Sequence, residues 1–102
     1  RIVVPMTTLD EELDTVDEIS ILKVDVQGYE PDVFAGAANV LKRTSVLLTE
    51  ITYAPYYRGD QPFLNLWHHL LSFAPFQLWG GSAPRVSPAG RPMWADAVFV
   101  MP

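Results

Sequence analysis

The sequence predicts an α/β fold built on a mostly parallel sheet whose last strand returns antiparallel. Three observations carry this expectation. Strands and helices alternate along the chain, which calls for parallel pairing through right-handed crossovers. The run Ile19 to Val26 is almost continuously apolar, as suits a strand covered on both faces. The connection to the final strand, 97–101, carries no helix, so that strand is expected to run opposite to its neighbours.

The elements follow in order. Ile2 to Val4 reads as a short strand closed off by Pro5. Thr8-Leu9-Asp10-Glu11 has capping-box form, with Thr8 as the cap and Glu11 reaching back. Leu9, Leu13 and Val16 then recur at helical spacing. After the strand over 19–26, one helix is predicted from Pro31 to Arg43. Pro31 suits its first turn, and Lys42 and Arg43 complement the dipole at its end. Gly36 inside that helix is a propensity defect of ~1 kcal/mol, which close packing against a strand would explain. The second strand is Val46 to Ile51. Asp60 caps a third helix running through Phe73, where Phe63, Leu66, Trp67, Leu70 and Leu71 form the apolar stripe. Phe76 to Trp79 is a third strand, and the proline-rich stretch from Ser82 to Pro92 reads as a loop or lid.

A chain of 102 residues holds at most one domain, and 49% hydrophobic residues are enough for a core. The net charge of -5 argues against nucleic acid, which needs a basic stripe to neutralise phosphates. Half of the acids lie between Asp10 and Glu18, where a solvated helix face is the expectation. With no cysteine there is neither a disulfide framework nor a thiolate zinc site, which fits a reducing compartment. No apolar run approaches the ~20 residues that span a bilayer, so no membrane partner is expected and a cytoplasmic location is. Arg1 followed by Ile2-Val3-Val4-Pro5 reads as a start within a domain, so the chain reads as a piece.

The most informative run is Ile21-Leu22-Lys23-Val24-Asp25-Val26-Gln27-Gly28-Tyr29-Glu30: a strand that ends on an acid, turns at a glycine and opens into a helix. In open parallel sheets ligands bind outside the carboxyl ends of the strands. Asp25 is therefore a candidate general base, metal ligand or phosphoryl acceptor, with a helix cap as the structural alternative. A Walker-type acid would need a glycine-lysine phosphate loop, and a receiver-type phosphoaspartate would need a later strand-end lysine; the chain has neither. Glu50 ends the neighbouring strand, so two carboxylates are expected on one rim, suited to proton transfer. Tyr53, Tyr56, Tyr57 and Arg58 follow as an aromatic stretch with one cation, fit to stack on a sugar or planar acceptor. His68 and His69 are adjacent on a helix, point about 100° apart and cannot chelate one metal together. No metal site is expected. Arg85 and Arg91 are either an anion clamp or, as ordinary loop arginines, simply solvated.

Three blocks of residues resemble a known family. Val4-Pro5-Met6-Thr7-Thr8-Leu9-Asp10, then Leu22-Lys23-Val24-Asp25-Val26-Gln27-Gly28-Tyr29-Glu30, then Val33-Phe34-Ala35-Gly36-Ala37 are similar to the C-terminal half of FkbM-type methyltransferases. Leu47-Leu48-Thr49-Glu50 is similar to that family's next strand, and Ala95 to Met101 loosely to its end. The resemblance implies part of a doubly wound, Rossmann-like methyltransferase sheet, with residues 1–102 as the substrate-side half of a single domain. It implies S-adenosylmethionine as cofactor and a hydroxyl of a sugar or natural product as acceptor. Asp25 and Glu50 would then be catalytic, Val26 and Gln27 would lie against the cofactor, and Tyr53, Tyr57 and Arg58 would bind the acceptor. Gln27 stands where many members carry glutamate. The glycine-rich cofactor loop and ribose-binding acid of the family precede these motifs and are missing from this chain, which alone is expected to be inactive. The rival reading is a catalytically silent module holding a glycan or protein partner at the Tyr53–Arg58 rim. The strands are expected in the order first, second, last, third. The open edge of the 19–26 strand is expected to recruit a second copy.

Overall fold

Strands are numbered in chain order as β1 (Ile19–Val24), β2 (Thr44–Thr52), β3 (Gln77–Gly81), β4 (Arg85–Val86) and β5 (Pro92–Val100). The structure is a computed structural model describing residues 2–54 and 62–102. The strands form one mixed sheet in the order β1-β2-β5-β3, with β4 also pairing β5. This is the expected order of first, second, last and third strands. The expectation of a mostly parallel sheet is corrected at the level of pairing. β1 and β2 pair in parallel, but β5 inserts between β2 and β3, so the other described pairings are antiparallel.

The helices are α1 (Leu9–Glu12), α2 (Glu30–Ala35), α3 (Ala38–Lys42) and α4 (Pro62–Leu71). Alternation along β2 and β5 shows which face they cover. Leu47, Thr49 and Ile51, with Ala95, Ala97 and Phe99, are buried in a core shared with Phe34, Val40, Leu41, Leu66 and Leu70. Their intervening neighbours Val46, Leu48, Val98 and Val100 are only half-buried. A short dimension of 22 Å accommodates one sheet and one helical layer, since packed layers lie ~10 Å apart. The two-sided covering expected for the first strand is thus not found among the described residues. β1 stands at the sheet edge with Ile21 62% exposed.

The predicted helix from Pro31 to Arg43 is divided at Gly36 and Ala37 into α2 and α3. The cause is tertiary. Asp10, about thirty residues away in sequence, accepts hydrogen bonds from the N–H groups of Asn39 (3.1 Å) and Val40 (2.8 Å), and its own N–H donates to the Gly36 carbonyl (3.0 Å). Asp10 therefore supplies the N-terminal cap of α3 from another element, instead of lying on a solvated face. A Cβ at Gly36 would crowd the Thr8 side chain at 3.0 Å, so the close partner is Thr8 and not a strand.

Smaller differences share this origin. Thr8 caps α1 as expected, accepting the Glu11 N–H at 3.2 Å, but the Glu11 carboxylate receives the Thr7 hydroxyl (3.1 Å) instead of reaching back to the cap. α1 stops after Glu12, which leaves Val16 exposed. Ile2 to Val4 form no strand and are exposed. The proline-rich stretch is a hairpin, in which Arg85 pairs with Trp94 and Ser87 and Arg91 close the turn through reciprocal bonds. That pairing extends the last strand back from residue 97 to Pro92. The cap predicted at Asp60 lies outside the described residues.

Replacing Asp10 with alanine strips α3 of its cap and loosens the contact between α1 and α3. The expected loss is about 1–2 kcal/mol in urea unfolding, with Asp10→Asn retaining part of it because an amide oxygen still accepts.

Candidate functional site

The link between β1 and α2 is shaped by three backbone facts. Gln27 has φ 55° and Gly28 φ 100°, two successive left-handed residues, and the Val26 carbonyl accepts the Tyr29 N–H at 3.4 Å. This is the signature of a type I′ turn, which glycine adopts readily and glutamine only against resistance. Glu30 holds the turn in place. Its side chain is buried, and its two oxygens accept the N–H groups of Val26 (3.4 Å) and Gly28 (2.9 Å). A buried carboxylate is tolerated only where hydrogen bonds replace water, and the turn amides supply them.

Asp25 takes no part in this arrangement. The helix-cap alternative is not realised among the described residues, since the loop amides bond Glu30. Asp25 is exposed, and its Oδ1 accepts a hydrogen bond from the Gln27 side-chain amide at 3.1 Å. The strained turn thus places Gln27 where it can orient Asp25. Val26 is half-buried and packs on the edge of the core. It lines, with Asp25, Leu22 and Thr8, a cleft of about 430 Å³ between the carboxyl end of β1 and the segment entering α1.

Glu50 and Asp25 are brought together. Both line a cavity of about 160 Å³ at the carboxyl ends of β1 and β2, together with Lys23 and Asp96. Glu50 and Asp96 are direct cross-strand partners, so their side chains stand side by side on the face opposite the helices. Partial burial, followed by the negative charges of Glu30, Asp25 and Asp96, pushes the Glu50 carboxyl above its ordinary range. A carboxylate tuned in this way is suited to accept a proton nearer neutrality. Among the described residues no group of metal-ligating side chains forms a site.

Tyr53 lies on the same rim, partly exposed, with its N–H donated to the Met93 carbonyl (2.8 Å). Its ring begins a chain of aromatic contacts through Phe63 (5.6 Å) and Trp67 to the buried Phe99. Tyr57 and Arg58 lie outside the described residues. His69 is spent on structure: Nε2 is 3.1 Å from the Pro31 carbonyl and the ring packs edge-on to Phe73.

Four contributors were missed from sequence. The signal for Glu30 was an acid at the first helical position directly after a glycine turn. Asp96 and Trp94 were legible from alternation, because Met93, Ala95, Ala97 and Phe99 point one way and the residues between them the other. Asp10 had no local signal.

The raised Glu50 carboxyl has a consequence for stability. The folded state favours the protonated acid, so this contribution is complete below the unfolded value of about 4.3 and is lost as pH rises through the folded value. Glu50→Gln is expected to match the parent's melting temperature near pH 4 and to exceed it at pH 7. Paired thermal melts at the two pH values check this.

Residues 1–78 match the family described as the methyltransferase FkbM domain. No curated protein and no solved structure matches the chain. Among the described residues no helix is long and apolar enough to cross a membrane. The matched span takes in the first two strands, the turn held by Glu30, and both Asp25 and Glu50, and on that evidence the chain belongs to the FkbM methyltransferase domain family.

Proposed function

We propose that the chain is the substrate-side half of a Rossmann-like, S-adenosylmethionine-dependent methyltransferase domain that methylates a hydroxyl oxygen of a small-molecule or glycan acceptor. The observation that carries this reading is the meeting of Asp25 and Glu50 in one cavity at the carboxyl ends of two parallel strands, in a chain of this family. Ligands of open α/β sheets bind at that position.

The residues present fit one end of the cofactor. A Cβ built at Gly28 meets nothing within 4 Å, so the turn leaves open backbone beside Val26 and Gln27, and the Asp25 carboxylate offers a countercharge to a sulfonium. When bound, S-adenosylmethionine supplies a methyl group on that sulfonium. The chain's own residues then have simple tasks. Asp25, held by Gln27, and Glu50 beside it orient the acceptor hydroxyl and receive its proton as the oxygen attacks. Tyr53, with Tyr57 and Arg58, is assigned to the acceptor.

Two measurements test the reading. In the complete domain Asp25→Asn is expected to lower turnover by ~10²–10⁴-fold with folding intact; unchanged turnover would favour the silent binding module. The 102-residue chain by itself is expected to bind S-adenosylmethionine weakly or not at all in calorimetric titration, and micromolar affinity would contradict the assignment of the cofactor loop to residues outside it.

The open edge of β1 carries a further expectation on the same reading. Unpaired strand edges with exposed apolar residues recruit other chains, and a lysine on the edge blocks this. The 102-residue chain is expected to self-associate through β1, and Ile21→Lys to shift sedimentation toward monomer.

A further inference from the structure

The turn between β1 and α2 is complete without the side chain of residue 27. The N–H groups of Val26 and Gly28 go to Glu30, and the Val26 carbonyl accepts the Tyr29 N–H. A type I′ turn asks only that its two central residues take positive φ, which glycine does freely and asparagine or aspartate at small cost. Gly28 meets that demand at φ 100°. Gln27 meets it at φ 55°, where the Cβ of an L-residue crowds the following carbonyl. Turn stability alone would favour glycine or asparagine at this position. A long side chain held against its conformational preference points to a task outside the turn.

The hydrogen bond made by that side chain identifies the task. Gln27 Nε2 donates to Asp25 Oδ1 at 3.1 Å, two residues back and on exposed surface. Such an exposed bond adds little to stability. What it changes is the freedom of Asp25. An exposed aspartate samples several rotamers, and the charges around the same cavity pull it in different directions: Lys23 attracts, whereas Glu50 and Asp96 repel. A cationic side chain at position 27 would neutralise Asp25, and an acidic one would repel it. A neutral amide fixes the carboxylate without altering the charge of the rim, occupies one oxygen and leaves Oδ2 for a ligand. We propose that Gln27 is a positioning residue, kept in a left-handed conformation at the expense of turn stability so that its amide holds Asp25 in one orientation. That the ligand of Asp25 is an acceptor hydroxyl rests on the methyltransferase reading; the holding of Asp25 does not.

The test separates turn stability from side-chain order in the 102-residue chain. Gln27→Gly removes both the strain and the donor, whereas Gln27→Met keeps the length and the strain and removes the donor alone. Gln27→Gly is expected to melt a few degrees above the parent, and Gln27→Met to match it or fall slightly below. NMR three-bond couplings to the Asp25 β-protons are expected to report one dominant χ1 rotamer in the parent and averaging in both variants. A melting temperature for Gln27→Gly at or below the parent's would show that the glutamine serves the turn, and unchanged Asp25 couplings in the variants would show that it does not hold Asp25; either result overturns the proposal. In the complete domain Gln27→Gly is expected to lower turnover by up to ~10²-fold while raising the melting temperature, an opposition that a purely structural role does not produce. Because the couplings are read without a methyl donor, the two readings fail separately. Asp25 held by Gln27, in a complete domain that methylates no hydroxyl, keeps the positioning role and removes the transferase reading. Hydroxyl methylation lowered by Asp25→Asn but indifferent to Gln27→Gly removes the positioning role alone.

Discussion

The geometry of the candidate site depends on one buried carboxylate. Glu30 sits at the start of α2 and binds the amides of Val26 and Gly28, so it couples the end of β1 to the start of the helix. Its burial is offset by those two bonds, and the turn's two left-handed residues are offset by the same bonds in return. Without Glu30 the Val26 and Gly28 N–H groups would lose their shared acceptor, and the turn its reason to keep Gln27 at φ 55°. Asp25 would then lose the amide that orients it. One residue that need not touch substrate thus determines where a candidate catalytic residue points.

A second carboxylate plays the matching part at the start of α3. Asp10 caps α3 from a distance, and Thr8 packs where Gly36 has no side chain. The residues that carry the family resemblance therefore divide into two kinds. Asp10, Thr8, Gly36 and Glu30 bond or clear backbone, whereas Asp25 and Glu50 are left facing a cavity. Acids in such a motif are not all chemistry; where each one's partners lie separates the two roles.

Insertion of β5 between β2 and β3 sets the character of the rim. It places Asp96 beside Glu50, and that like charge adds to burial in raising the Glu50 carboxyl. The same insertion brings the hairpin over the rim, so Arg85 and Trp94 reach a site whose first residues come from the parallel pair. Among the described residues the helical layer buries only the other face, which leaves this one half-exposed.

Much of this was legible in the sequence, because it follows from local chemistry. The apolar run ending at Asp25 with Gly28 behind it predicts a strand, a turn and a rim acid, and the structure has all three. The helix-free connection to the last strand, together with the family resemblance, predicts the antiparallel insertion that is observed. The stripe from Phe63 to Leu71 predicts α4. What the tertiary structure alone decided are interactions between residues distant in the chain. The break at Gly36 comes from Asp10 and Thr8 and has no counterpart in the propensities of residues 31–43. The early start of β5 comes from its pairing with Arg85 and Val86, which overrides the prolines that read as a loop. The meeting of Glu50 with Asp96 is a matter of register, which periodicity within either strand cannot set. Local spacing determines which residues can face a site; only the pairing of strands, through backbone bonds between distant segments, determines which of them face it together.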